Sequence, residues 1–599
     1  MALQKGTMEG PWMKKWQIGG CLAVFLLLVM AAAGKAAAPV YYLNDDVAMR
    51  SILSGAYTGS PDGHAVYMGY PLSALLSALY GLTEKLGLFI PWFDLFLAGC
   101  ILLAGVGILG GCYKTGEKPW MRVILALLGL AVIAGLLLPH YLYMHYTIVA
   151  AILAGGALLI WETEKGRALP VCLLGLCYLV RSQVFFLAMP FLGVAVLDGL
   201  LEAMRRRRRE RQTEGDSPGL MAWACVRLRK EALSLLGLGI LILAFWGIHR
   251  MGYGSRDWQA YLEYNDSRTK LYDYTDFLST DWYQERYELL GLTREQYQVL
   301  THYDTLLDQE IDARVLDRTV RRIKDLRGDV VTDEYLRQCV EAYLRHLRYD
   351  GRPYSLVWAG CCGVLLLLLA VGKRWDRLLL LGALAGGRSM IWVYLIARGR
   401  FPERVWVSLY LLEICLLLGM LFREWIGSRE SVPGGIRRFL PAATAVLVLA
   451  LLWGAAAIQL PQTLQMAETQ REKQEQWNTL AQALEGQEDL LYLMDVFSAV
   501  AYAGELYGRD PEQIMLLGGW LTGSPLALQR LEKYGAPDAA LALGHGQVCL
   551  VAAGDRDMSW LEAYLCHRLG EVRLGVQETI ACGSGTEFVV YKLETARAQ

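Results

Sequence analysis

The sequence predicts a mainly α fold: a polytopic helical membrane protein of about 11 spans, with a helical loop domain and a small α/β C-terminal domain outside the bilayer. Three observations predict it. The 599 residues are 54% hydrophobic, with a mean hydropathy of +0.29, an apolar balance rare in a soluble chain of this length. The apolar residues gather in runs of about 17 to 25, and about 20 helical residues cross a hydrocarbon core of about 30 Å. Basic residues then fall in alternate loops, which sets orientation. The formal net charge of −1 offers no electrostatic footprint for a nucleic acid, and the basic run Arg205 to Arg209 reads as a topology signal.

The runs lie at about 16–38, 88–112, 120–138, 141–161, 168–180, 184–197, 231–250, 354–372, 377–396, 404–422 and 439–459. Those at 168–180 and 184–197 are too short to cross singly and read as a tight pair of short helices turning at Arg181-Ser182-Gln183. With Lys14 and Lys15 inside, the inner loops carry Lys114, Lys118 and Arg122, then Lys165 and Arg167, the Arg205–Arg209 run, Lys373, Arg374 and Arg377, and last Arg423, Arg429, Arg437 and Arg438. The N-terminus is therefore expected in the cytoplasm and the C-terminal domain outside it. Ala36-Ala37-Ala38 would suit cleavage of a signal peptide, although a retained helix is the preferred reading.

Four regions follow: 1–250, a membrane region whose first outer loop is 39–87; 251–353, an outer loop subdomain; 354–459, further spans; and 460–599, an outer α/β domain. In the first loop, Leu72, Leu75, Leu76, Leu79 and Leu82 repeat at helical spacing among Ser73, Ser77, Thr83, Glu84 and Lys85. Pro71 to Gly87 thus predicts an amphipathic helix lying in the interface. Residues 251–353 are rich in Tyr and charge, as in Tyr264-Asn265-Asp266-Ser267-Arg268. Such faces suit sugar binding, and equally a small helical subdomain whose tyrosines cover its own core. Residues 460–599 open with a charged helix at about 462–484, followed by buried strands at Leu490–Met494 and Val548–Ala552 and a last strand at Phe588–Leu593. No nucleophile elbow, phosphate loop or nucleotide fingerprint occurs there. Of 13 cysteines, most lie in apolar runs as packing residues; Cys549, Cys566 and Cys582 leave a disulfide open.

The residues with chemical potential are few. Asp45 and Asp46 follow the first run by about seven residues, at the mouth of the bundle. Carboxylates there suit general-base or metal-assisted chemistry; the plainer reading is a loop in which Asn44 or Asp45 caps a helix beginning near Val47. Arg398, Arg400 and Arg404 lie outside, against the positive-inside trend, and guanidinium groups match phosphate oxygens. Lipid headgroups would serve them as well. Arg181 can join the same site, and His64, His140 and His145 lie near the outer face, where each alone reads as an ordinary hydrogen-bonded residue. Arg388 and Glu413 fall inside apolar runs at similar depth, which predicts an intramembrane ion pair.

Together the Asn44-Asp45-Asp46 motif after the first span, the interfacial helix, the alternating spans and the C-terminal domain resemble the GT-C superfamily of membrane glycosyltransferases. The resemblance covers the architecture of about the first 460 residues. It implies transfer of a sugar from a polyprenyl-phosphate carrier to a glycan, lipid or protein acceptor at the outer face of a bacterial plasma membrane. By it, one of Asp45 and Asp46 is the general base, and the other orients the acceptor or holds Mg2+ or Mn2+. Arg398, Arg400 and Arg404, with Arg181 and His64, bind the substrate and its lipid phosphate, and the anomeric centre inverts. Two readings stand beside it. One is a transporter or flippase for a lipid-linked glycan, against which no inverted repeat and no matched pair of broken helices is visible. The other is a non-catalytic envelope assembly protein.

Overall fold

The computed structural model describes residues 15–115, 119–164, 166–214, 220–275, 277–279, 281–328, 332–427, 440–485, 490–502 and 504–595. Lys14, Lys118, Lys165, Arg429, Arg437 and Arg438 lie outside the described residues, as do the side chains of Lys15, Lys114 and Arg206 to Arg209. Ten of the described helices are long and apolar enough to cross a bilayer, and Ala168–Val180 is a shorter apolar helix beside them. The chain is a multi-pass helical membrane protein.

Helices Tyr146–Thr163 and Glu403–Gly427 form the centre of the bundle, 94% and 89% buried over their most apolar stretches. Small residues let their backbones approach. A Cβ at Gly155 would meet Cys415 Sγ at 3.1 Å and Leu411 O at 3.2 Å, and one at Gly419 would meet Glu162 Cβ at 2.6 Å. Helices Gln17–Ala36 and Arg229–Gly252 are only 11% and 6% buried and turn their apolar sides outward, as lipid-facing helices do.

Several boundaries differ from expectation, for a common reason: charge ends a hydropathy run without ending a helix. The second member of the expected short pair is instead Ser182–Glu214, 33 residues long. Past Leu197 it stays helical because Asp198 and Glu202 find arginines in neighbouring helices. The last span and the charged helix after it fuse into one rod, Leu440–Leu484, with Pro461 inside it. Its 45 residues reach about 67 Å, well beyond the bilayer. Helix Pro119–Val132 continues through a π-helical turn, Ile133–Leu137, into Leu138–Leu142. The chain then extends through Tyr143–Met144, which pairs in parallel with Val40–Tyr41.

The interfacial helix spans Tyr70–Lys85; it buries Leu72, Leu76 and Tyr80 and exposes Leu75 and Leu82, followed by exposed Leu86, Leu88 and Phe89. That face fits the bilayer surface. At the opposite end of the bundle, basic residues assigned to inner loops are instead buried in ion pairs. Arg167 holds Glu231 at 2.8 Å, Arg374 holds Glu424 at 3.0 Å, Arg377 holds Asp198, and Arg423 bridges Glu162 at 2.8 Å and Asp198 at 3.0 Å.

The C-terminal region is a small α/β domain. Its five strands run in the order Ile514–Leu516, Leu491–Met494, Val548–Ala553, Glu587–Thr595, Val572–Ala581, the first three parallel and the last two antiparallel. It does not stand alone. Leu271, Phe277, Leu300, Leu316 and Ile323 of the loop share one hydrophobic core with Leu491, Leu493, Met515 and Leu550 of the sheet. Helix Asp333–Arg345 instead packs on span Trp375–Ala397, where Tyr335 Oη donates to Ala397 O at 2.8 Å. The expected loop subdomain is thus divided between the sheet domain and the membrane bundle. Every cysteine whose side chain is described is a free thiol.

Candidate active site

Asp45 and Asp46 occupy the first turn of helix Asn44–Ser54, which begins three residues earlier than the capping reading requires and has Leu43 at its N-cap with no side-chain bond. Successive helical residues point about 100° apart, so two neighbouring carboxylates cannot face the same way. Asp46 turns inward and is fully buried; its Oδ1 accepts from Tyr146 N at 2.8 Å, and its Oδ2 has no hydrogen-bond partner. The nearest base is His145, whose Nδ1 lies 3.9 Å from Oδ2 but already accepts from Thr147 N at 3.0 Å. Burial, with the adjacent Asp45 charge adding to it, pushes the Asp46 carboxyl well above the usual range. Asp45 turns the other way, lines a cavity and has no hydrogen-bond or ion-pair partner among the described residues.

That cavity measures about 880 Å³, within the range of small-molecule sites. It lies where the membrane bundle, helix Arg256–Tyr274, the rod Leu440–Leu484 and the sheet domain meet. Arg181, Arg400 and Arg404 line it together with Asp45. Arg181 precedes helix Ser182–Glu214, and Arg404 lies in the first turn of Glu403–Gly427, so two helices begin at the cavity and add their positive ends to the guanidinium charge. Arg400 pairs with Asp273. Arg181 meets no carboxylate among the described residues: it donates to Gln183 Oε1 at 2.8 Å and sits over the rings of Tyr67 and Tyr146, at 4.8 and 5.4 Å. Arg404 has no side-chain partner among the described residues. The charge of these two arginines is felt nearby. Burial, then Arg404 and Arg181, lowers the Arg400 pKa below its ordinary value and depresses that of His145 well below 6.5.

Other expected members lie elsewhere. Arg398 is exposed and stands over the rings of Tyr274 and Tyr394, at 6.0 and 5.7 Å, outside the cavity. His64 is a packing residue: it stacks on Trp258 at 4.3 Å, with Nδ1 2.7 Å from Asp62 Oδ1 and Nε2 3.1 Å from Gly252 O. His140 meets Tyr354 Oη at 2.8 Å inside the bundle. Arg388 and Glu413 form a buried ion pair of 2.6 Å, completed by Trp392 Nε1 donating to Glu413 at 2.9 Å and by Trp358 under the guanidinium at 4.1 Å. It does not reach the cavity. Asp46 Oδ1 is taken by Tyr146, and no group of three or more His, Cys, Asp or Glu side chains with ligand spacing occurs among the described residues.

Sequence reasoning missed Arg50, four residues after Asp46 on the same buried helix face. Its guanidinium contacts Asp94 at 3.3 Å and Asp510 at 2.6 Å and donates to Glu505 O at 2.7 Å, clasping the sheet domain to the first outer loop. A lone arginine among Met49, Ile52 and Leu53 was the available signal. Arg268, which lines the cavity and meets Asn265 Oδ1 at 3.0 Å, lay in the aromatic run already singled out.

No protein-family model and no curated protein matches the chain. The fold is similar to that of ArnT from Cupriavidus metallidurans, in a crystal structure of its apo state. The likeness covers 95% of this chain and 98% of that one, at 12% sequence identity and a TM-score of 0.36.

Proposed function

We propose that the chain is a GT-C-type membrane glycosyltransferase that moves a sugar from a polyprenyl-phosphate carrier to an acceptor hydroxyl, with the domain-bearing face outside the cytoplasm of a bacterial cell. One observation carries this reading: Asp45, a carboxylate without a partner among the described residues, shares one cavity with Arg181 and Arg404, two arginines that form no ion pair among them. A carboxylate facing open space suits a general base, and unneutralised arginines at helix starts suit a phosphate. In this mechanism Asp45 takes the acceptor proton as the hydroxyl oxygen bonds to the anomeric carbon. The bond from that carbon to the phosphate oxygen breaks, and its electron pair leaves with the carrier phosphate. Arg181, Arg404 and Arg400 stabilise that charge. Attack opposite the leaving group inverts the anomeric centre. Asp46 positions Asp45 by anchoring the helix to Tyr146.

The test is turnover of polyprenyl-phosphate sugars by the purified protein. Release of carrier phosphate that Asp45→Asn abolishes supports the assignment. Release that continues undiminished in Asp45→Asn removes the base from the mechanism.

A further inference from the structure

The cavity has a second wall whose chemistry is unlike that of the arginines. On the rod Leu440–Leu484 and the residue just after it, Gln474, Trp477, Asn478, Ala481, Gln482 and Glu485 all line it. Their spacing of three and four residues makes one continuous helical stripe, running about 16 Å along the axis. An inward stripe of a helix is ordinarily apolar; this one is amide, aromatic and small, and ends at the carboxylate of Glu485. Trp477 pairs with Tyr502 at 5.4 Å and 32°, both rings lining the cavity. Gln474 is buried, at 5% exposed, and its Nε2 donates to Asn478 Oδ1 at 2.9 Å. Its Oε1 is buried without a hydrogen-bond partner, behind the surface of the cavity.

The sheet domain points its functional edge at the same space. The chain leaves the carboxyl ends of the parallel strands Leu491–Met494 and Ile514–Leu516 as Val496-Phe497 and Gly518-Gly519-Trp520, and all five residues line the cavity. In open α/β sheets this is the edge where ligands bind. Gly518 is required there, since a Cβ would fall 1.7 Å from Tyr303 O. Gly519, at φ +95°, has open space beside it and leaves its backbone bare.

We propose that this wall is a saccharide subsite, formed by Gln474, Trp477 and Asn478 with Tyr502 and the Gly518–Trp520 turn, and that it holds the acceptor as a neutral oligosaccharide. Ring faces of Trp477 and Tyr502 take the C–H face of a pyranose, and the Asn478 amide, held in place by Gln474 Nε2, takes a hydroxyl. The stripe is long enough for a short glycan. Saccharide binding stands on this geometry alone; the acceptor role rests on the transferase reading above.

Saturation-transfer NMR on the full-length protein in nanodiscs, with tetrasaccharides of glucose, galactose, mannose and N-acetylglucosamine as probes, tests it. At least one is expected to bind, with affinity weakened about tenfold or more by Trp477→Ala and by Gln474→Leu and largely kept by Trp477→Phe. Binding of polyprenyl phosphate, measured on the same preparations, is expected to be unchanged in these variants, which shows that they are folded. No binding of any probe by protein that binds polyprenyl phosphate overturns the subsite and leaves the transferase reading standing. Binding that Trp477→Ala and Gln474→Leu leave intact overturns it as well. Saccharide binding together with undiminished turnover by Asp45→Asn retains the subsite and overturns the mechanism.

Discussion

Asp46 Oδ1 lies 2.8 Å from the backbone N of Tyr146, a bond that joins the helix after the first span to the start of the most buried helix in the bundle. It uses one carboxylate of the adjacent pair for structure and frees Asp45 for the cavity.

The two aspartates should therefore behave differently. Asp45→Asn is expected to lower kcat by about 10²- to 10⁴-fold, the usual contribution of a general base. Asp46→Asn keeps an oxygen to accept from Tyr146 and is expected to retain most turnover. Steady-state kinetics on both variants, at matched protein level, checks the division; equal losses would mean that both carboxylates act in the chemistry.

Asp46 also sets a pH dependence. Its native pKa is raised above the unfolded value of 3.8, so the folded state binds the proton more tightly. Its stabilising contribution is present at low pH and is lost as pH rises from that unfolded value through the native one. Asp46→Asn removes the titration, so its melting temperature is expected to gain on the wild type as pH rises from about 5 to about 8. A difference that stays constant with pH would show that Asp46 ionises normally.

The arginines divide in the same manner. Arg404→Ala and Arg181→Ala are each expected to lower kcat/KM by about 10²-fold, as removal of a charge-stabilising donor does. Arg398→Ala is expected to leave it unchanged, because Arg398 stands outside the cavity. Arg404→Lys restores charge without the planar fork and should recover only part of the loss.

Arg50 is predicted to hold the sheet domain down. Arg50→Ala leaves Asp94 and Asp510 buried without their partner, a change of about 3–5 kcal/mol in comparable sites. Limited proteolysis should then cut between 460 and 520 faster than in the wild type. Unchanged cleavage would assign the docking to the Tyr41 N to Gly504 O and Leu506 N to Pro39 O bonds instead.

Within the bundle, Glu413→Ala strands Arg388 and is expected to lower the yield of folded protein, whereas Glu413→Gln keeps one acceptor oxygen for Arg388 or Trp392 and should be milder. Activity per folded molecule should not change, because the pair lies away from the cavity. Lost turnover in well-folded Glu413→Gln would show that it couples to the site.

Hydropathy by itself located the long apolar helices, because a bilayer demands such helices whatever their partners. The Arg388–Glu413 contact was legible for the same reason: two charges at one depth in lipid have few alternatives. Helix ends were not legible where Asp198 and Glu202 carry on past the apolar run, since their partners come from other spans. Nor was the difference between Asp45 and Asp46, which depends on where the backbone of Tyr146, 100 residues away, presents its N–H. Only the tertiary structure brought Asp45, Arg181, Arg404 and Trp477 to one cavity, because its walls come from four distant segments whose nearness no local pattern encodes.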